Sequence, residues 1–236
     1  LGRVKVQLCG RFVIELDGRR VDGELPGRQG RVLFAYLAVN RNRTLTRTQL
    51  LDALWDDGRD GGLAPLLSKL RRTVPLDGLR LALPPDSWVD VEAAVDAVHR
   101  AESALAQGDW HRAWGPSQVA MFVAGRPFLP EEDADWVHET RRELDDVHLR
   151  AMEAYARAGL GIGGTELAAA VRTARELTRR EPYRESGYEL LMRALAGEGN
   201  RAEAVLAYEE LRTHLRDDLG LSPSDAAQQL HRELLG

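Results

Sequence analysis

The chain has 236 residues, 44% hydrophobic and 29% charged, which is enough for one large domain or two small ones and excludes disordered and collagen-like classes. No apolar stretch is long enough to cross a bilayer, and the start, LGRVKVQLCG, lacks the layout of a secretory signal, so no membrane association and a cytoplasmic location are expected. The net charge of −5 is unevenly spread: residues 1–88 hold 15 Lys and Arg against 10 Asp and Glu, net +5, and residues 89–236 hold 17 against 27, net −10, a division that suits a phosphate-contacting part followed by one held away from a nucleic acid, and equally chance variation between two surfaces.

Val4, Val6 and Leu8 alternate with Lys5 and Gln7, and Phe12, Ile14 and Leu16 alternate with Val13 and Glu15. Both runs have the period of half-buried strands. Asp17-Gly18 is a hairpin signal, and Arg19 to Val21 then reads as a short third strand. Cys9, the single cysteine, falls within this alternation and is expected to be a packed thiol. After Pro26-Gly27, the residues Val32, Leu33, Ala35, Tyr36, Leu37 and Val39 recur at helical spacing. Thr46 is placed as the N-cap of a second helix carrying Leu50, Leu51, Leu54 and Trp55, whose indole is expected to close the core.

The acidic, glycine-rich DDGRDGG cannot continue that helix, and Leu63 to Val74 is predicted as a third, with Pro65 in its first turn and Pro75 ending it. On this helix a leucine side can pack while Ser68, Lys69, Arg71 and Arg72 meet a major groove. LDGLRLALPP then offers two short extended runs around Asp77-Gly78, a small hairpin with Arg80 near its tip or outer face.

From Asp90 onward nearly every segment has helical period, with turns expected at Gly108-Asp109, Gly125-Arg126-Pro127, Gly159 to Gly164, Glu181-Pro182, Gly197 to Asn200 and Gly220 to Pro223. EAYARAGLGIGGTELAAAVRTARELTRREP and ELLMRALAGEGNRAEAVLAYEELRTHLRDDLGLSP repeat one pattern: an apolar helix, a glycine-rich turn, an alanine-rich helix and a proline. Ala168, Ala169, Ala202 and Ala204 are expected to allow close helix approach, and Tyr155 and Tyr208 to fill the gaps. This is the logic of tetratricopeptide-like repeats. AESALAQGDWHRAW suggests an earlier, divergent unit. The fold class is therefore mainly α with a small β component, a winged helix-turn-helix domain (residues 1–88) followed by a tetratricopeptide-like helical repeat domain (residues 89–236).

The run RVLFAYLAVNRNRTLTRTQLLDALW, followed by LLSKLRR, resembles the OmpR-type DNA-binding domain of the Streptomyces antibiotic regulatory protein (SARP) family of transcriptional activators. VAMFVAGRPFLPEEDADWVHETRRELDDVHLRAMEAYARAG and the region from REPYRESGYELLMRALAGEGN to the end resemble the bacterial transcriptional activator domain that follows it in that family. The resemblance implies a regulator of transcription initiation that binds double-stranded promoter DNA on the nucleoid, with a second domain supporting homodimerisation or contacts with RNA polymerase. It implies base-edge or phosphate roles for Ser68, Lys69, Arg71 and Arg72, a backbone or minor-groove role for Arg80, and phosphate contacts for Arg43, Arg47 and Thr48.

Two features depart from the family pattern: Leu63-Ala64-Pro65-Leu66-Leu67 is more apolar, and the wing is short and lacks a Gly-Tyr pair. They support the alternative of a regulatory or scaffold protein with a degenerate winged helix and a ligand- or protein-binding repeat domain. The six histidines are scattered without metal-ligand spacing, so no metal and no cofactor is expected. Gly159, Gly161, Gly163 and Gly164 are read as an interhelical turn because no Gly-Lys-Ser/Thr follows. Ser117 lacks a GxSxG context and EEDAD reads as an acidic loop or helix start, so no enzymatic activity is expected. A small-molecule effector of the helical domain is a further expectation, with no chemistry legible for it.

Overall fold

The computed structural model describes residues 4–55 and 62–236. The chain forms two compact units, one of residues 1–95 with 123–145 and one of residues 96–122 with 146–236. In chain order come β1 (Val4–Gln7), β2 (Val13–Leu16), β3 (Arg19–Arg20), α1 (Gly27–Val39), α2 (Arg47–Leu54), α3 (Leu63–Leu70), β4 (Leu76–Asp77), β5 (Arg80–Leu81) and β6 (Trp88–Val89). They are followed by α4 (Asp90–Ala106), α5 (Trp110–Ala124), α6 (Asp135–Ile162), α7 (Leu167–Arg180), α8 (Glu185–Gly197), α9 (Arg201–Leu219) and α10 (Asp225–Leu235). The mainly helical class with a small β component holds.

In the first unit β1 and β2 pair antiparallel with Val4 opposite Leu16 and Val6 opposite Ile14, so the alternating residues Val4, Val6 and Ile14 enter the core while Lys5 stays exposed. Asp17 and Gly18 both have positive φ (53° and 80°), the twist that a two-residue hairpin needs. The sheet order is β3-β2-β1-β6. Its edge strand β6 runs parallel to β1, pairing Lys5 with Trp88 and Val6 with Val89, which no local pattern had suggested. Immediately after β6, Asp90 is almost wholly buried, and its Oδ2 accepts hydrogen bonds from the Leu8 and Cys9 amides at 2.8 Å each.

The segment expected to start the helical domain also belongs to this unit in part. Gly10 N donates to Pro127 O at 2.8 Å, Leu129 N donates to Leu8 O at 3.3 Å, and Phe128 bridges to Cys9. Arg141 holds the turn in place, donating from Nε to Phe128 O (2.9 Å) and from Nη2 to Leu129 O (2.6 Å) and Glu132 O (2.8 Å). The boundary after residue 88 therefore lies inside the first compact unit rather than at its edge.

Helix α1 places Leu33, Phe34 and Leu37 in the core. Trp55, expected to close that core, is instead half-buried at the end of α2. Trp136 supplies the aromatic contact, its Nε1 donating to Ala53 O at 3.1 Å and its ring meeting Tyr36 edge-on at 5.1 Å. The stretch 56–61, expected to break the second helix, lies outside the described residues.

In the second unit α7 packs on α8, α8 on α9 and α9 on α10, around a core that includes Ala170, Ala174, Tyr188, Leu191, Ala204, Tyr208 and Leu230. Tyr208 stacks on His231 with ring centroids 4.0 Å apart, and Tyr155 stacks on Trp114 at 4.1 Å, so both tyrosines fill interhelical space as expected. Ala202 is exposed and plays no part in the close approach; Ala170, Ala174 and Ala207 do. The turn expected from Gly159 is also shorter than predicted. Helix α6 continues to Ile162, and the chain turns only at Gly163 and Gly164, whose φ angles are 73° and 58°. Gly159 and Gly161 lie within the helix, and close packing rather than a turn accounts for glycine there: a Cβ at 161 would overlap the Trp110 indole, and one at 159 would lie 3.0 Å from Trp114.

Candidate nucleic-acid interface

The exposed basic residues of the first unit are positioned by three short elements. Helix α2 starts at a capping box: the Gln49 amide donates to Thr46 Oγ1 at 3.3 Å, and the Thr46 amide donates to Gln49 Oε1 at 2.8 Å. These bonds satisfy two amides that a helix start otherwise leaves unpaired. Arg47 and Thr48 are exposed in this first turn, with Arg43 exposed in the connection before it.

Helix α3 is anchored by Leu63, Leu66, Leu67 and Leu70, all buried, which leaves Ala64, Pro65, Ser68 and Lys69 on its outer side. The helix ends at Leu70, four residues before the expected end at Val74. Pro75 disfavours helical backbone at Val74, and the chain tightens into a turn in which Arg72 N donates to Lys69 O and Thr73 N to Leu70 O. Ser68 and Lys69 are thus on the helix, while Arg71 is its C-cap and Arg72 lies on the turn beyond it. Arg71 and Arg72 are exposed as predicted, but they leave from the end of the helix rather than from its face.

The β4–β5 hairpin pairs Leu76 with Leu81 and Asp77 with Arg80. Leu81 is buried and Arg80 is exposed. Arg71 Nη2 donates to the Gly78 carbonyl at the hairpin turn at 2.8 Å, so the end of α3 and the hairpin are joined by a side chain. Ser68, Lys69, Arg71, Arg72 and Arg80 are all exposed, and the Arg71–Gly78 bond ties the helix end to the hairpin that carries Arg80; Arg43, Arg47 and Thr48 lie together in the chain at and just before the start of α2. Sequence reasoning had not singled out Ala64 and Pro65 as outward-facing. The signal was available, because residue 64 is four positions from Ser68 and both share a side of a helix.

The other candidate features have structural explanations. Ser117 is buried and its hydroxyl donates to Trp114 O at 2.9 Å, one helical turn back. In EEDAD, Glu132 pairs with Arg28 at 2.7 Å, Asp133 lies 2.8 Å from His138, and Asp135 begins α6. Burial and the neighbouring Asp90 charge push the Cys9 thiol far above its usual range. A thiol so held stays protonated and unreactive.

A model of the bacterial transcriptional activator domain family matches residues 89–235. The chain is 29% identical to the regulatory protein AfsR of Streptomyces coelicolor over 88% of this chain and 22% of AfsR. It is 26% identical to the transcriptional regulatory protein EmbR of Mycobacterium tuberculosis over 99% of this chain and 63% of EmbR. It therefore spans less than two thirds of either relative. Among solved structures, Mycobacterium tuberculosis EmbR in complex with a low affinity phosphopeptide superposes with a TM-score of 0.82 at 25% identity, covering 99% of this chain and 65% of that one. With a winged helix followed by stacked helix pairs, the chain belongs to the bacterial transcriptional activator domain family and, within it, to the SARP regulators.

Proposed function

We propose that the chain is a DNA-binding regulator of transcription, an activator that engages promoter DNA through α3, the turn after it and the β4–β5 hairpin. The observation that carries this reading is the exposure of Ser68, Lys69, Arg71, Arg72 and Arg80 on a leucine-anchored helix, the turn after it and a hairpin tied to that turn by Arg71. Cations on a helix and wing neutralise phosphates, and Arg and Lys at base edges read guanine. Arg43, Arg47 and Thr48 add phosphate contacts beside the first turn of α2. In this reading the helical domain makes the protein contacts, to a second copy or to RNA polymerase, and the protein acts on the nucleoid in the cytoplasm without catalysing a reaction. No helix among the described residues is long and apolar enough to cross a membrane.

The test is a salt titration of binding to promoter and random duplexes. Each phosphate neutralised contributes about −0.9 to the slope of log affinity against log salt. A slope set by several contacts, with tighter binding to the promoter, is the expected result; no binding at low salt overturns it.

A second reading is favoured by Ala64 and Pro65, which occupy the outer side of α3 where hydrogen-bonding side chains would read bases. In that reading the winged helix is a scaffold or binds DNA without discriminating sequence. Equal affinity for promoter and random duplex across the salt series selects it.

A further inference from the structure

The second unit contains a groove of about 380 Å³ bordered by α5, α6 and α8. Its apolar surface is made by Trp110, Leu160 and Leu190. Trp110 lies against Gly161, where any Cβ would overlap its indole, and the residue remains 37% exposed. A helical glycine here therefore seats an aromatic ring at the groove while leaving part of that ring accessible.

Arg157 and Arg193 border the same groove, and both are exposed. Neighbouring arginines of this unit are matched: Arg150 with Glu102 at 2.7 Å, Arg184 with Glu153 at 2.8 Å and Arg175 with Glu203 at 2.8 Å. Arg157 and Arg193 form no hydrogen bond or ion pair among the described residues. Arg157 lies near Glu102 and Glu153, whose carboxyls it helps to hold low, but both carboxylates direct their hydrogen bonds elsewhere, to Arg150 and Arg184. Glu189 is the one carboxylate in the lining, so two cations and one anion leave the groove with a net charge of +1. Ser186 also lines it, with its hydroxyl hydrogen committed to Glu153 and its oxygen left as an acceptor.

We propose that this groove is a binding site for a small organic anion with a planar apolar body, an aromatic carboxylate. The ring stacks on Trp110 between Leu160 and Leu190, and the carboxylate is taken by Arg157 and Arg193, whose forked donors match its two oxygens. The volume suits a ligand of that size. The inference is independent of DNA binding and can fail without affecting that reading.

Ligand-observed saturation-transfer NMR on the full chain tests it, with 2-naphthoate as the anionic probe and 2-naphthalenemethanol as its neutral counterpart. The naphthoate is expected to bind about tenfold more tightly than the alcohol, the factor that one charge-assisted hydrogen bond supplies. Arg157→Gln with Arg193→Gln should bring the two probes to equal affinity while the circular dichroism spectrum is unchanged. Arg179→Gln, at an exposed arginine paired with Glu176, should leave the preference intact. Equal binding of both probes to the unmodified chain, no binding of naphthoate at millimolar concentration, or an unaltered preference in the double variant each overturns the proposal.

Discussion

The Arg71 guanidinium donates from Nη2 to the Gly78 carbonyl at 2.8 Å, fastening the hairpin turn to the end of α3. Arg72, one residue on, is exposed. Two adjacent arginines that look equivalent in the chain therefore have different tasks: Arg71 fixes the hairpin to the helix, and Arg72 projects from the turn.

The pair should separate experimentally. Arg71→Ala is expected to speed hydrogen exchange at the Leu76 to Leu81 amides, and Arg72→Ala to leave it unchanged. Arg72→Ala should weaken binding to promoter and random duplexes alike and reduce the magnitude of the salt slope by about 0.9. Both variants should unfold within about 0.5 kcal/mol of the parent, as exposed substitutions do. Identical exchange in the two variants would remove the positioning role of Arg71.

Asp90 makes folding pH-dependent in a defined direction. Burial pushes its carboxyl above the ordinary value of 3.8, against the opposing pull of the Cys9, Leu8 and Val91 amides. A carboxyl raised on folding contributes stability that is fully present below its unfolded value and is lost as pH rises through its folded value. Asp90→Asn keeps an acceptor for Leu8 and Cys9 without the charge. The stability of the parent relative to Asp90→Asn, from urea unfolding, should therefore decline as pH is raised above the ordinary aspartate value. Asp90→Ala strands the Leu8, Cys9 and Val91 amides, all buried, and should cost on the order of 3 kcal/mol.

Gly161 tests close packing against helix propensity. In an exposed helix Gly→Ala stabilises by about 1 kcal/mol. Here the new methyl meets the Trp110 indole, so Gly161→Ala should destabilise by about 1–3 kcal/mol, the usual range for overpacking. Combining it with Trp110→Leu should recover part of the loss in a double-mutant cycle. Additive effects would show that the ring and the glycine are not coupled.

Arg141 gathers three carbonyls of the 128–132 turn, in which Leu129 adopts a φ of 38°. Arg141→Ala should destabilise the chain by about 3 kcal/mol, since hydrogen bonds from a charged donor contribute more than neutral ones. Arg141→Lys should not restore it, because an ammonium cannot reproduce the planar fork. Recovery by lysine would point to charge alone.

Much of the candidate interface was legible because its signals are local. The leucine spacing of α3, the Thr46 cap and the Asp77-Gly78 hairpin each act over a few residues, and all eight predicted contact residues, from Arg43 to Arg80, are exposed. The end of α3 was misplaced by the same local reasoning, since the leucine period continues to Val74 while Pro75 already disfavours helical backbone there. The departure of Arg71 toward Gly78 had no signal within the helix pattern at all.

The amino-acid sequence by itself determined most of the element types and their order, the division of charge and the family, because periodicity, caps and turn residues are short-range preferences of the backbone. Tertiary structure alone decided that β6 pairs with β1, that Asp90 is buried beneath Leu8 and Cys9, and that residues 123–145 complete the first unit. It also decided that Gly159 and Gly161 are helical. Each of these depends on which distant segment supplies a hydrogen-bond partner or occupies a volume. A buried polar group must find such a partner, and a side chain must avoid such a neighbour, wherever in the chain it comes from.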